Sequence, residues 1–136
     1  MLTVTAMDHI VLNVKDMDTI LDFYINVLGL AGERIDAYRQ GKVTFPSVRI
    51  NADTLIDLFP VPATGTSVPV SQPEHLNHFC MVIAKTEMQQ VMAHLAAHGV
   101  HIDEGPVTRW GAHGNGTSIY FCDPEGRRIE LRYYDA

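Results

Sequence analysis

Positive charge is scarce in this 136-residue sequence: 10 Lys and Arg stand against 16 Asp and Glu, for a formal net charge of −6. The basic residues do not cluster, so the chain lacks the positive face that a nucleic acid backbone demands, and nucleic acid is not expected as a partner. No apolar run approaches the roughly 20 residues needed to span a bilayer, and MLTVTAMDH lacks a basic region followed by an apolar core. The expectation is therefore no membrane association and a cytoplasmic location. Cysteine is also rare. Cys80 and Cys122 form no CxxC or other metal-type spacing, and are expected to be reduced, small and buried. What is present suits a soluble globular fold, with 46% hydrophobic and 19% charged residues in a length that fits one domain with a sizeable core.

The chain says one thing twice. The stretch DHIVLNV (8–14) alternates as a half-buried strand and leads into KDMDTILDFYINVLGL. That segment has a helix start at Asp16 or Asp18, apolar residues at Ile20, Leu21, Tyr24, Val27 and Leu28, and a stop at Gly29. NHFCMVIAKTEMQQVMAHLAAHG (77–99) repeats the grammar: a strand beginning X-His, a Thr86 cap, Met88, Val91, Met92 and Leu95 on one helical face, and a stop at Gly99. Each half then predicts short strands, KVTFPSVRI and TLIDLFPV in the first, GTSIYFC and RRIELRYY in the second, the last two joined by the turn DPEG. The reading is an α+β chain of two β-α-β-β(-β) units, about 6–61 and 76–135, sharing one core in a single domain of 1–136. The Pro-, Ser- and Thr-rich segment 62–75 connects them.

Period-2 parity sorts the strand faces. Ile10, Leu12 and Val14 share one side of the first strand, leaving His9, Val11 and Asn13 on the other. Phe79, Met81 and Ile83 oppose His78, Cys80 and Val82; Ile129, Leu131 and Tyr133 oppose Glu130, Arg132 and Tyr134. Ile119 and Phe121 oppose Ser118, Tyr120 and Cys122, and Ile56 and Leu58 oppose Leu55 and Asp57. His9, His78, Glu130, Tyr120 and Asp57 thus fall on sides facing away from the helices, and two sheets curling toward one another would gather them in a cleft. Two imidazoles and one carboxylate make a facial triad that leaves coordination positions on a divalent ion open for substrate. An unpaired Glu130 would be costly to bury, which independently favours a cation beside it.

These stretches, DHIVLNV, LDFYINVLGL, NHFCMVI and most specifically SIYFCDPEGRRIELRYY, resemble the vicinal oxygen chelate superfamily over nearly the whole chain. That superfamily includes glyoxalase I, extradiol dioxygenases, methylmalonyl-CoA epimerases, and fosfomycin and bleomycin resistance proteins. The resemblance implies two βαβββ modules pairing into a curved open barrel around a metal. It implies His9, His78 and Glu130 as ligands of Zn, Ni, Mn or Fe(II), and a homodimer acting on a small-molecule substrate. Glyoxalase I places a glutamate where this chain has Asp57, one methylene shorter, suiting a water-bridged or proton-transfer role. Tyr120 stands ten residues before Glu130, as a substrate-contacting tyrosine does in the ring-cleaving enzymes.

The glycine-rich RWGAHGNGT reads as a loop that could offer Arg109 or His113 to an anionic substrate or as a proton donor. His94 and His98 have helical i, i+4 spacing but no third partner, and with His75 and His101 they read as surface residues. The expected activity is a glyoxalase-type lyase or isomerase, the metal chelating vicinal oxygens. Extradiol ring cleavage with Fe(II) and O₂ is the alternative, and fosfomycin modification comes third. A metal-free, bleomycin-sequestering type of drug binding is the non-catalytic alternative, disfavoured by the His/His/Glu set.

Overall fold

A computed structural model describes residues 1–61 and 76–135. The expected connection over 62–75, with His75, lies outside the described residues. The chain divides into two compact units, Met1–Val68 and Pro69–Ala136. Each carries a four-stranded mixed sheet, and the chain is α+β as its patterning predicts.

In the first unit β1 (His9–Val14) leads to α1 (Met17–Asp22), which continues as a π-helical turn over Phe23–Val27. Asp16 starts the helix: its side chain accepts the Thr19 N–H at 3.1 Å, satisfying one of the amides a helix start leaves unpaired. Gly29, at φ +78°, ends it in a conformation that a β-carbon would strain. There follow β2 (Ala31–Glu33), a short α2 (Ile35–Arg39), β3 (Ser47–Asn51) and β4 (Thr54–Pro60), in the sheet order β1-β4-β3-β2. Neither β2 nor α2 is visible in the sequence periodicity, being too short to show one. The strand expected over 42–50 starts only at Ser47. Pro46 just before it has no N–H to give a ladder, although its carbonyl accepts from Leu58 at 3.0 Å. Leu12, Val14, Ile20, Leu21, Tyr24, Val48, Ile56 and Leu58 are buried, so the apolar parity of the strands and the apolar stripe of the helix both go to the core.

The second unit repeats this order: β5 (Phe79–Val82), α3 (Met88–Ala97), β6 (Ile102–Gly111), β7 (Gly114–Cys122) and β8 (Arg128–Tyr133), with sheet order β5-β8-β7-β6. In both units the first strand runs parallel to the last, and the last pairs antiparallel with the one before it. Glu87, not Thr86, precedes the first helical residue, and no side chain caps that end. The DPEG turn forms as expected: the Gly126 N–H donates to the Asp123 carbonyl, and Asp123 Oδ1 accepts from the amides of Glu125 and Arg127. RWGAHGNGT is not a loop. Arg109, Trp110 and Gly111 lie in β6, paired with Gly116, Asn115 and Gly114, so only Ala112 and His113 turn the hairpin. The glycines that suggested a loop are strand residues, Gly111 in β6 and Gly114 and Gly116 in β7. Both cysteines are free and exposed rather than buried, because each sits on the strand face opposite the apolar side chains. No helix among the described residues is long and apolar enough to cross a membrane.

Gly105 interrupts the β6–β7 register at φ +108°, and a β-carbon there would lie 2.5 Å from the Ser118 carbonyl. Gly105→Ala should therefore lower unfolding stability by roughly 1–3 kcal/mol, read by urea denaturation.

Candidate functional site

The ligand-type residues come as one pair in each unit, built by the same rule. In the first unit the parallel register sets Val11 opposite Asp57, so the acid on β4 faces the position two residues beyond His9. In the second, Cys80 stands opposite Glu130, again two residues beyond a histidine, His78. Asp57 and Glu130 are therefore equivalent places in the repeat. Among the described residues no group of three or more His, Cys, Asp or Glu side chains is gathered as a metal cluster.

The second-unit pair is the tighter. His78 Nε2 lies 3.1 Å from Glu130 Oε1, and His78 Nδ1 is 2.6 Å from the Asn77 side-chain oxygen. One ring nitrogen is thus engaged by Asn77 and the other faces a carboxylate oxygen, the proton's place depending on the tautomer. The 3.1 Å gap between Nε2 and Oε1 suits either a ring proton shared by the two or a bound cation. A histidine oriented through its far nitrogen, with its near nitrogen beside a carboxylate, is the donor set a divalent ion accepts. Two donors of the type such an ion accepts are therefore present here, His78 Nε2 and Glu130 Oε1.

Glu130 is nearly fully buried, and it is not unpaired as parity alone suggested. Its Oε2 accepts from the Ser118 hydroxyl at 2.6 Å and from Arg132 Nη2 and Nε at 2.6 and 3.1 Å. The Tyr120 hydroxyl also acts on this carboxylate and favours its charged form. Burial pushes the Glu130 pKa up, but hydrogen bonds from Ser118, Arg132 and Tyr120 outweigh it and hold the pKa down to about 2. Arg132 is itself buried. Its remaining N–H groups reach the carbonyls of Arg109 and Trp110, at 3.4 and 3.2 Å, and the Tyr134 hydroxyl at 3.2 Å. Gly111 makes the room, since a β-carbon there would lie 1.9 Å from Arg132 Nη1. Sequence reasoning placed Ser118 and Arg132 on this face but gave them no part. The signal was present, because residues two apart on a strand share a face and IELR sets a cation beside the acid.

Tyr120 lies opposite Glu130 in the β7–β8 ladder, its ring edge-on to His78 at 5.5 Å. Burial, aided by the neighbouring carboxylate, raises its pKa and keeps the phenol protonated. His113 is not brought to the pair: its backbone N–H donates to the Tyr134 hydroxyl at 3.3 Å and its ring meets the Tyr134 ring at 5.4 Å. Its link to Glu130 runs through Tyr134 and Arg132. Arg109 bonds to Glu104.

The first-unit pair is looser. Asp57 Oδ1 accepts from the Ser47 hydroxyl at 2.6 Å, and Oδ2 is 3.8 Å from His9 Nε2. His9 Nδ1 is held by Asp8 at 2.7 Å, and that hydrogen bond, opposed by desolvation and aided by Asp57, raises the His9 pKa. His94 and His98 meet edge to face at 4.8 Å on α3.

The family model described as Glyoxalase/Bleomycin resistance protein/Dioxygenase superfamily matches residues 6–131. A glyoxalase domain-containing protein, RDO1, of Mycosarcoma maydis is 35% identical over 135 residues, covering 98% of this chain and 70% of the relative. Virulence protein STM3117 of Salmonella typhimurium is 32% identical over 131 residues, covering 96% and 85%. The crystal structure of that protein aligns with a TM-score of 0.73 at 28% identity, over 98% of this chain and 99% of the other.

A depressed folded-state pKa means that the Glu130 contribution to stability is complete above the ordinary carboxylate range near 4.5 and is lost as pH falls toward about 2. Wild type should therefore lose stability across that interval, and Glu130→Gln should flatten this part of the pH profile in acid titrations followed by circular dichroism. Arg132→Met should destabilise the fold at pH 7 by about 3–5 kcal/mol, because it leaves a buried carboxylate without its cation.

Proposed function

The chain belongs to the glyoxalase/bleomycin resistance protein/dioxygenase superfamily, and from that premise we propose that it is a metal-dependent enzyme acting on a small substrate with two adjacent oxygens. The observation that carries this reading is the His78 Nε2–Glu130 Oε1 pair, 3.1 Å apart, with the far imidazole nitrogen already engaged by Asn77. Under this proposal His78, Glu130 and, by the family resemblance, His9 hold a divalent ion: Zn, Ni, Mn or Fe(II). The bound ion supplies Lewis acidity toward the substrate oxygens. The chain's own residues do the rest. Ser118 and Arg132 occupy Glu130 Oε2, so the oxygen left for coordination is Oε1. Asp57, with Oδ1 taken by Ser47, has Oδ2 available to accept a proton from substrate carbon, the step of a glyoxalase-type lyase or isomerase. The protein is proposed to work as a homodimer.

Extradiol ring cleavage is kept as the second reading on one observation, the protonated Tyr120 phenol beside His78 and Glu130. Tyr120 is only 5% exposed and lies beside His78 and Glu130, which suits a residue that orients the ligand better than one that meets substrate. Drug binding without metal is disfavoured, because it gives no reason for a histidine facing a carboxylate in both units.

Protein purified without added metal and stripped by chelator should bind one divalent ion per chain in calorimetry. Glu130→Gln and His78→Ala should each weaken that binding at least about tenfold. Failure of the wild type to bind any of the four ions with micromolar affinity sinks the proposal. Bound iron together with oxygen uptake on catechols would instead favour ring cleavage.

A further inference from the structure

The face of the second unit that carries His78, Tyr120 and Glu130 also carries a concentration of positive charge that the proposed chemistry does not use. Arg128 lies two residues before Glu130 on β8, on the same side of the strand. Its guanidinium stacks over the Tyr120 ring at 4.3 Å, so it stands one aromatic ring away from His78. Arg128 Nη2 donates to Glu104 Oε2 at 3.1 Å, and Arg109 Nη2 donates to the other oxygen of the same carboxylate. Two guanidinium charges thus share one carboxylate, leaving an excess of one positive charge. Both Arg109 and Glu104 act electrostatically on the Tyr120 hydroxyl, which places this group at the pair.

The cluster is reachable and its donors are not exhausted. The side chains of Arg128, Glu104 and Arg109 are 34%, 38% and 43% exposed. Among the described residues Arg128 donates only through Nη2, leaving Nε and Nη1 free. Arg109 uses Nη1 on the Thr108 carbonyl and Nη2 on Glu104, leaving Nε. The stack on Tyr120 and the bridge through Glu104 hold the guanidinium of Arg128 in place before any ligand arrives, which lowers the ordering cost of binding. A planar fork of fixed N–H groups recognises carboxylate and phosphoryl oxygens in pairs. In a chain of net charge −6, a fixed cationic spot beside the candidate site is a local feature and not a consequence of composition.

We propose that Arg128 and Arg109, with Glu104 as the internal anion that occupies them in the free protein, form an oxyanion subsite for the carboxylate or phosphoryl group of the substrate. The proposal rests on the reading that this face receives substrate, and it narrows the substrate class to anionic small molecules. Glu104 acts as a competitor: an incoming oxyanion takes up donors that the glutamate otherwise holds.

That role gives a sign which simple charge neutralisation does not. The full chain, kept metal-free with chelator, is titrated with methylphosphonate and separately with acetate at ionic strength held constant with sodium chloride. Binding is followed by the fluorescence of Trp110, the single tryptophan, exposed and adjacent to Arg109. One or both anions should saturate, the arm that does so identifying the group. Glu104→Gln should bind about fivefold more tightly, as expected for removing a like charge near the surface. Arg128→Gln should bind about tenfold more weakly, as expected for losing a charge-assisted hydrogen bond. The gain in the Glu104 variant cannot come from misfolding. The proposal is overturned if neither anion saturates, if Glu104→Gln binds no more tightly than wild type, or if Arg128→Gln binds as wild type does. Because no metal is present, loss of metal binding by the wild type would leave this result standing, and the reverse is equally true.

Discussion

A carboxylate with 3% of its surface exposed, Glu130, is the constraint around which the second unit is organised. Burying such a charge costs several kcal/mol unless it is paired and hydrogen-bonded. The chain meets that cost from three strands. Ser118 donates from β7 with Tyr120 beside it, His78 faces it from just before β5, and Arg132 closes on it from β8 itself. Arg132 in turn needs partners, and it finds them in the carbonyls of Arg109 and Trp110 and in Tyr134, where Gly111 leaves space. The hairpin of β6 and β7 is therefore tied to the carboxylate through one guanidinium. What the Ser118 and Arg132 bonds leave facing outward is a single oxygen and an imidazole nitrogen.

The first unit contains the same device with one methylene removed. Asp57 occupies the place of Glu130 and takes a serine hydroxyl at 2.6 Å, as Glu130 does, but its second oxygen stops 3.8 Å from His9 instead of 3.1 Å. Among the described residues no arginine clamps it. Duplication thus supplies two histidine–acid pairs with different strengths. In the proposed function the tightly held Glu130 is the ligand and the more loosely held Asp57 the group that accepts and returns a proton.

The remaining arginines show how one strand divides its labour. Arg132 is sealed against Glu130 and is 3% exposed, so its charge is spent inside the fold. Arg128, on the same face and two residues on the other side of Glu130, lies against Tyr120 and remains open to solvent. The same side-chain type is sealed inside the fold in one place and left accessible in the other, and the local partner decides which.

The sequence by itself determined the twofold βαβββ grammar, the α+β class and the strand faces, because a period of two and a period of 3.6 are written in local apolar spacing. His9, Asp57, His78, Tyr120 and Glu130 were legible as residues turned away from the helices for the same reason. It mislaid RWGAHGNGT, since glycines that read as a loop are strand residues once β7 lies beside them. It missed the short β2 and α2, and it buried two cysteines that are exposed. Only the tertiary structure decided which face-sharing residues touch. That Arg132 neutralises Glu130, that Glu104 holds two arginines and that His113 reaches no further than Tyr134 depend on cross-strand register and on the room left at Gly111. The β1–β4 and β5–β8 registers join residues far apart in the chain, so the local apolar pattern gives each strand its faces but not which side chains meet across the ladder.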